Sequence, residues 1–344
     1  MKITAKMIAE QLGISPATVD RALNKRNGVS PKTLRRVLEK AKELDYKPNQ
    51  AASFLSRKKQ ILVAFVFPIY PEYFWEEIEV GIQRTVADLR HYGFEIEIIR
   101  TFKYDTSMQL EIVKEIIQSK KYDGLVFSAN DASPFVQIIN EGIEKGFPIY
   151  TINNDSPSSK RLFYVGADYL DSGRLAGELL YSFTHLKKRF AVITDIMNTF
   201  QMQQKVLGFK EYMGQRKDVE MIEPLKIDSN NLEQSLKTIQ KEMIQVDGIY
   251  VASGNLAEVS HVIERIDINQ RPRVIGHDMN ESIYELLQKE VITASICQDP
   301  IYQGSLTVRK VFNHLMLEEA IDTIEDIVKL EIVTKGNVKY YFQH

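Results

Sequence analysis

The sequence predicts a small all-α head carrying a helix-turn-helix, followed by an α/β body of two lobes, each a doubly wound, mostly parallel sheet. Three observations predict it. Residues 1–60 hold two helix-start signals, Ser15-Pro16 and Ser30-Pro31, and a glycine turn at Gly13. From Ile61 onward, short β-rich runs alternate with stretches of helical spacing. Charge divides at the same point: residues 1–60 carry 14 Lys/Arg against 5 Asp/Glu, and the rest of the chain carries 30 against 41. A length of 344 residues is enough for more than one domain.

Thr4 is suited to cap a first helix whose apolar face is Met7, Ile8 and Leu12. Gly13 suits the turn because glycine tolerates positive φ. Ser15 is then the cap of a second helix and Pro16 its first residue, where a missing N–H costs nothing. Val19 and Leu23 face the small core. Ser30-Pro31 opens a third helix, with Leu34, Val37, Leu38, Ala41 and Leu44 at helical spacing.

A basic head on an acidic body fits a protein that grips DNA through the head alone. The second helix is expected in the major groove, with Pro16, Ala17 and Arg21 toward the bases. Arg21 can bridge guanine O6 and N7, worth about 1–3 kcal/mol of discrimination. Thr4, Thr18, Asn24, Ser30 and Thr33 carry groups suited to phosphate oxygens, although capping accounts equally well for Thr4 and Ser30.

The residues Ile3-Thr4, Ile8-Ala9, Leu12 to Asn24, Gly28-Val29-Ser30 and Tyr46 to Ala52 together resemble the lac repressor family of bacterial transcription regulators. Asp20 departs from that pattern, standing where the family commonly has a small hydroxyl residue. It is placed to accept from cytosine N4 or to pair with Arg21.

Pro48-Asn49 marks a break, and Asn49 can cap a short helix over 50–56, too short to be stable alone. The resemblance implies that two such hinge helices of a homodimer enter the minor groove, with Leu55 wedged between base pairs. Arg57-Lys58-Lys59 would lie by the phosphates. The domains expected are a head over 1–47, a hinge over 48–60 and a ligand-sensing body over 61–344.

In the body, strands are expected at 61–67, 94–100, 123–128, 147–152, 189–194, 219–226, 247–252 and 273–276. Such βα alternation gives parallel sheets covered on both faces. The body resembles the type I periplasmic sugar-binding fold, through Val165 to Asp168 with Gly173 to Leu180, and Ile296 to Pro300 with Gln303-Gly304. That implies a first lobe of about 61–164 and 297–325, and a second of about 165–296 and 326–344.

Ligands of doubly wound sheets bind beyond the carboxyl ends of the strands. The expected effector-binding residues are therefore Tyr70, Phe74, Trp75, Asp105, Asn130, Asn153 and Asp155 in the first lobe. In the second they are Gln203, Lys205, Asn255 and Asp278, with Gln298 at the return crossover. Aromatic faces suit the C–H faces of a sugar, and amides and carboxylates grip adjacent hydroxyls. Lys205 stands where similar proteins usually carry arginine, and offers a mobile point charge instead of a planar fork.

The chain shows no P-loop, GxSxG elbow, GxGxxG after a strand, HExxH or Cys–His cluster, so neither an enzyme, a metal site nor a cofactor is expected. Cys297 is the single cysteine, which suits a reducing compartment. Met1 to Gly13 lacks the apolar stretch of a signal peptide, and Ile61 to Phe67 is too short to span a bilayer. The expectation is a cytoplasmic, ligand-responsive repressor that binds a pseudo-palindromic operator in double-stranded DNA as a dimer. Its effector is expected to be a sugar or sugar acid, with a purine or another small metabolite as the alternative. An α/β enzyme is the more distant rival. No leucine heptads follow Val333 to build a tetramer.

Overall fold

The computed structural model describes residues 4–23, 27–44, 46, 60–102, 105–185, 188–196 and 199–341. Asn24 and the hinge segment, including Leu55 and Arg57 to Lys59, lie outside them. The chain forms two compact units, divided near Gln60.

The head comprises α1 (Ala5–Leu12), α2 (Pro16–Leu23) and α3 (Pro31–Glu43). Thr4 Oγ1 accepts from the Met7 amide, and Gly13 closes α1 in the left-handed region at φ 63°. Ser15 Oγ accepts from the Thr18 amide at 3.1 Å, and Ser30 Oγ from the Thr33 amide at 3.2 Å. Both serines thus satisfy orphan amides at helix starts. The core is Ile8, Ala9, Val19, Ala22, Val37 and Ala41. Leu23 packs against this core as expected, partly buried, and Ala22 beside it is fully buried.

The body is built on two sheets. In the first, β1 (Ile61–Pro68), β2 (Phe94–Thr101), β3 (Gly124–Phe127), β4 (Ile149–Ile152), β5 (Tyr164–Gly166) and β12 (Glu325–Ile327) lie in the order β12-β5-β4-β3-β1-β2, all parallel. The helices associated with this lobe are α4 (Glu72–Leu89), α5 (Thr106–Gln118), α6 (Ala132–Glu144) and α12 (Pro300–Leu315). Buried runs such as Val63 to Phe67 are apolar on successive residues because both sheet faces are covered.

The second sheet joins β6 (Arg189–Asp195), β7 (Glu220–Met221), β8 (Leu225–Ile227), β9 (Gly248–Val251), β10 (Arg273–His277), β11 (Ala294–Cys297) and β13 (Glu331–Val333). Its order is β13-β11-β10-β9-β6-β7, with β8 also on β6 and only β13 antiparallel. Its helices are α7 (Tyr169–Phe183), α8 (Phe200–Gly214), α9 (Leu232–Met243), α10 (Leu256–Glu264) and α11 (Glu281–Gln288).

The expected strand over 219–226 is two short ones, β7 and β8, separated at Glu223-Pro224 because proline cannot donate to a ladder. The short strands β5, β11, β12 and β13 were not among those expected. Pairing with neighbours, not their own pattern, makes them strands. The first sheet also keeps Val165-Gly166 and Asp326-Ile327, each two residues past the lobe edges expected, because β5 pairs with both β4 and β12.

Candidate functional site

On the head, Pro16, Ala17, Asp20 and Arg21 are all exposed on α2 while Val19 and Ala22 are buried. The helical period therefore separates a base-facing candidate surface from the core. The hydroxyls of Thr18 and Thr33 pair with those of Ser15 and Ser30 at 2.8 and 2.9 Å, so these residues rigidify the starts of α2 and α3.

In the body, a cleft of about 640 Å³, open solvent at its mouth included, lies at the carboxyl ends of both sheets. Its walls include Tyr70, Phe74 and Trp75 after β1, Asn153 after β4, Lys205 on α8, Asn255 after β9, Asp278 after β10 and Gln298 after β11. Trp75 is buried, stacked on Phe67 at 5.1 Å, and its Nε1 donates to the Tyr70 carbonyl at 3.2 Å. It holds Tyr70 in place. Asn255 Nδ2 in turn donates to the Tyr70 hydroxyl at 2.6 Å, joining the lobes across the cavity.

Two wall residues sit in the left-handed region, Asn153 at φ 61° and Asp278 at φ 66°. Such strain in non-glycine residues persists only where the surroundings impose it, and it concentrates at ligand sites. Here the Tyr164 hydroxyl donates to the Asn153 carbonyl at 2.8 Å, and Ser295 Oγ donates to the Asp278 carbonyl at 2.6 Å. Gln298 joins the lobes at the crossover, its Oε1 accepting from Asn153 Nδ2 of the first lobe at 3.5 Å. Its Nε2 donates to Asp278 Oδ1 at 2.9 Å, while its Oε1 accepts from the Tyr169 hydroxyl at 3.2 Å.

Lys205 is fixed by close helix packing. A Cβ on Gly173 of α7 would lie 2.0 Å from the Lys205 carbonyl oxygen, and one on Gly208 would lie 1.9 Å from the Leu170 carbonyl oxygen. Glycine at both positions lets α7 and α8 approach backbone to backbone. Burial pulls the Lys205 ammonium down to about 8, against the opposing pull of Asp278. Burial pushes the Asp278 carboxyl up, opposed by Lys205 and the Gln298 amide. His277, buried and hydrogen-bonded to the Tyr250 hydroxyl at 2.7 Å, is held below its ordinary range by burial and then by Lys205.

Residues 4–49 match the model of the lacI family of bacterial regulatory proteins, and residues 63–319 match the periplasmic binding protein domain. The chain belongs to the periplasmic binding protein domain family over most of its length, and its head matches the lacI family of bacterial regulatory proteins. Among similar proteins, the HTH-type transcriptional regulator MalR of Streptococcus pneumoniae serotype 4 is 26% identical over 217 residues, 61% of this chain and 62% of MalR. The matched segment thus spans about three fifths of MalR's length. The sucrose operon repressor of Streptococcus mutans is 25% identical over 274 residues, 79% of this chain and 81% of the repressor. Among solved structures, GanP, a glucose-galactose binding protein from Geobacillus stearothermophilus, superimposes with a TM-score of 0.73 at 26% identity, covering 81% of this chain and 99% of GanP. These two relatives carry the names of regulators, not of enzymes. No helix among the described residues is long and apolar enough to cross a membrane.

Four residues expected at the effector site, Asp105, Asn130, Asp155 and Gln203, do not line the cavity. Asp105 is exposed and caps α5, its Oδ1 accepting from the Met108 amide at 3.0 Å. Asp155 is buried against Arg161, accepting from Nε and Nη2 at 2.7 Å each, and also accepts from Thr151 Oγ1. Gln203 is exposed on α8, while Gln201 and Met202 reach the wall. Residues that follow a strand also serve as helix caps and ion-pair partners, and only packing separates these uses. Asn130 is buried after β3 outside the wall, and neither side-chain polar atom has a hydrogen-bond partner among the described residues.

The wall also contains residues the sequence reading missed: Asp195, Thr199, Ser229 and Ser253. Ser229 Oγ donates to Asp195 Oδ2 and lies 3.1 Å from Asn255 Oδ1. The signal for Asp195 and Ser253 is their place at or just after the carboxyl ends of β6 and β9. Ser229 was hidden by the reading of β7 and β8 as one strand.

Proposed function

We propose that the chain is a ligand-responsive, sequence-specific DNA-binding transcription regulator, a repressor, acting as a dimer on a pseudo-palindromic operator. Its effector is a sugar, neutral or acidic, bound in the cavity between the lobes. The observation that carries this reading is the coexistence of an exposed Pro16-Ala17-Arg21 face on α2 with a polar cavity spanned by Tyr70 and Asn255. One reads DNA, and the other changes shape when filled. The resemblance to a sucrose operon repressor and to a glucose-galactose binding protein supports a sugar.

Pro16, Ala17 and Arg21 are the proposed base contacts in the major groove, and Leu55 the wedge in the minor groove. Thr4, Thr18, Asn24, Ser30 and Thr33 are the proposed phosphate contacts. Effector binding biases the lobes, and the hinge segment passes that bias to the paired heads.

The test is selection of duplexes from a random library with the full chain, then gel shifts of the selected duplex across a salt series. A pseudo-palindromic consensus, weakened by Arg21→Ala and by added sugar or strengthened by it, is the expected result. A chain that selects no sequence overturns the proposal.

A further inference from the structure

The cavity holds three charged side chains, and they are not equally satisfied. Asp195 accepts from Ser229 Oγ, and Asp278 accepts from Gln298 Nε2. Lys205 is 5% exposed, yet it lines the cavity and, among the described residues, makes no hydrogen bond or ion pair. Its Nζ lies 5.4 Å from the centroid of the Tyr169 ring, and the Asp278 carboxylate acts on it through space. A buried ammonium with three open donors is costly unless something compensates it. Since Gly173 and Gly208 fix its backbone, Lys205 cannot relax outward cheaply.

We infer that the effector carries an anionic substituent, a carboxylate or a phosphate on a polyhydroxylated ring, and that Lys205 is its counter-ion. This rests on the sugar reading given above and narrows it. The anion meets Lys205 Nζ within the cavity, and the two carboxylates of the same wall, Asp195 and Asp278, take hydroxyl donors of the ring. The titratable or charged groups facing Lys205 are His277 at the end of β10 and Asp278 after it, Asp195 at the end of β6 and the Tyr169 phenol on α7. His277 is held neutral near pH 7 by burial, so it neither supplies nor removes charge there.

The test is calorimetric titration of the full chain with matched probes: glucose, glucuronate and glucose 6-phosphate, then galactose, galacturonate and galactose 6-phosphate. Either anionic series is expected to bind at least about tenfold more tightly than its neutral parent, a step of about 1.4 kcal/mol. Which series wins distinguishes carboxylate from phosphate. Lys205→Met should abolish the ratio and Lys205→Arg should keep it. In the native chain the ratio should fall about tenfold between pH 7 and 9, as an ammonium titrating near 8 loses its proton. A neutral parent that matches its anionic partners, a ratio that survives Lys205→Met, or a ratio flat with pH overturns the inference and leaves the sugar reading intact. Failure of all six probes to bind overturns both.

Discussion

The hydroxyl of Tyr70 accepts a hydrogen bond from Asn255 Nδ2 at 2.6 Å, and the two residues belong to opposite lobes. Asn255 Oδ1 is engaged by Ser229, and the Tyr70 carbonyl by Trp75 Nε1, so both ends of the link are held. The cavity is therefore latched by its own walls. A net contribution of about 1 kcal/mol for such a bond is enough to shift an open–closed equilibrium roughly fivefold. Tyr70→Phe should enlarge the ligand-free radius of gyration in small-angle scattering. An unchanged scattering profile would show that other contacts close the lobes.

Asn130 carries a buried amide with two unsatisfied polar atoms. An unsatisfied buried group costs about 1–3 kcal/mol, so Asn130→Leu should leave ligand-free thermal stability unchanged or raise it. If the amide is kept for the effector, the same variant should lose at least about tenfold in effector affinity, which is about 1.4 kcal/mol. Lower stability with intact affinity would make Asn130 a packing residue.

Asp155 and Arg161 form a buried pair, with side chains 10% and 5% exposed. Removing Asp155 leaves Arg161 only the Glu325 carboxylate, 3.1 Å from Nη2, and the Ile324 carbonyl, so the cost lies toward the lower end of the about 3–5 kcal/mol typical of a broken buried pair. Asp155→Ala should therefore lower the denaturation midpoint sharply, while the surviving folded fraction binds effector normally. A variant of native stability with lost binding would return Asp155 to the effector site.

Glu77 on α4 has its carboxyl pushed up to about 7, by burial first and then by Asp278 and Asp299. A carboxyl raised on folding binds more protons in the native state between its ordinary range and about 7. The body should thus lose stability as pH rises through that window and regain it in acid. Glu77→Gln should raise the melting temperature at pH 8 and change it little at pH 4. Equal shifts at both pH values would assign the effect to packing.

Much of this fold was legible because it is periodic. Ser15-Pro16 and Ser30-Pro31 announced α2 and α3, and the observed caps at Ser15 and Ser30 use those residues. Runs such as Ile61 to Phe67 marked long central strands, whose covered faces demand unbroken apolar sequence. The strands β5, β12 and β13 escaped, at three residues each, because such segments carry too little pattern to register. Of the site, Tyr70, Asn153, Lys205, Asn255, Asp278 and Gln298 were legible from their place after a strand or near a glycine signature. Asp105, Asn130, Asp155 and Gln203 satisfied the same rule and lie outside the cavity wall.

The sequence by itself determined the order of elements, the charged division between head and body, and the families to which each part belongs. These follow from local propensity, hydrophobic period and charge, which need no knowledge of distant residues. Only the tertiary structure decided which polar side chains share the cavity, that Tyr70 reaches Asn255, and that Lys205 is buried with no hydrogen bond or ion pair among the described residues while Asp155 is buried against Arg161. Those facts depend on contacts across long stretches of chain, where packing of the two lobes sets the distance and no local pattern records it.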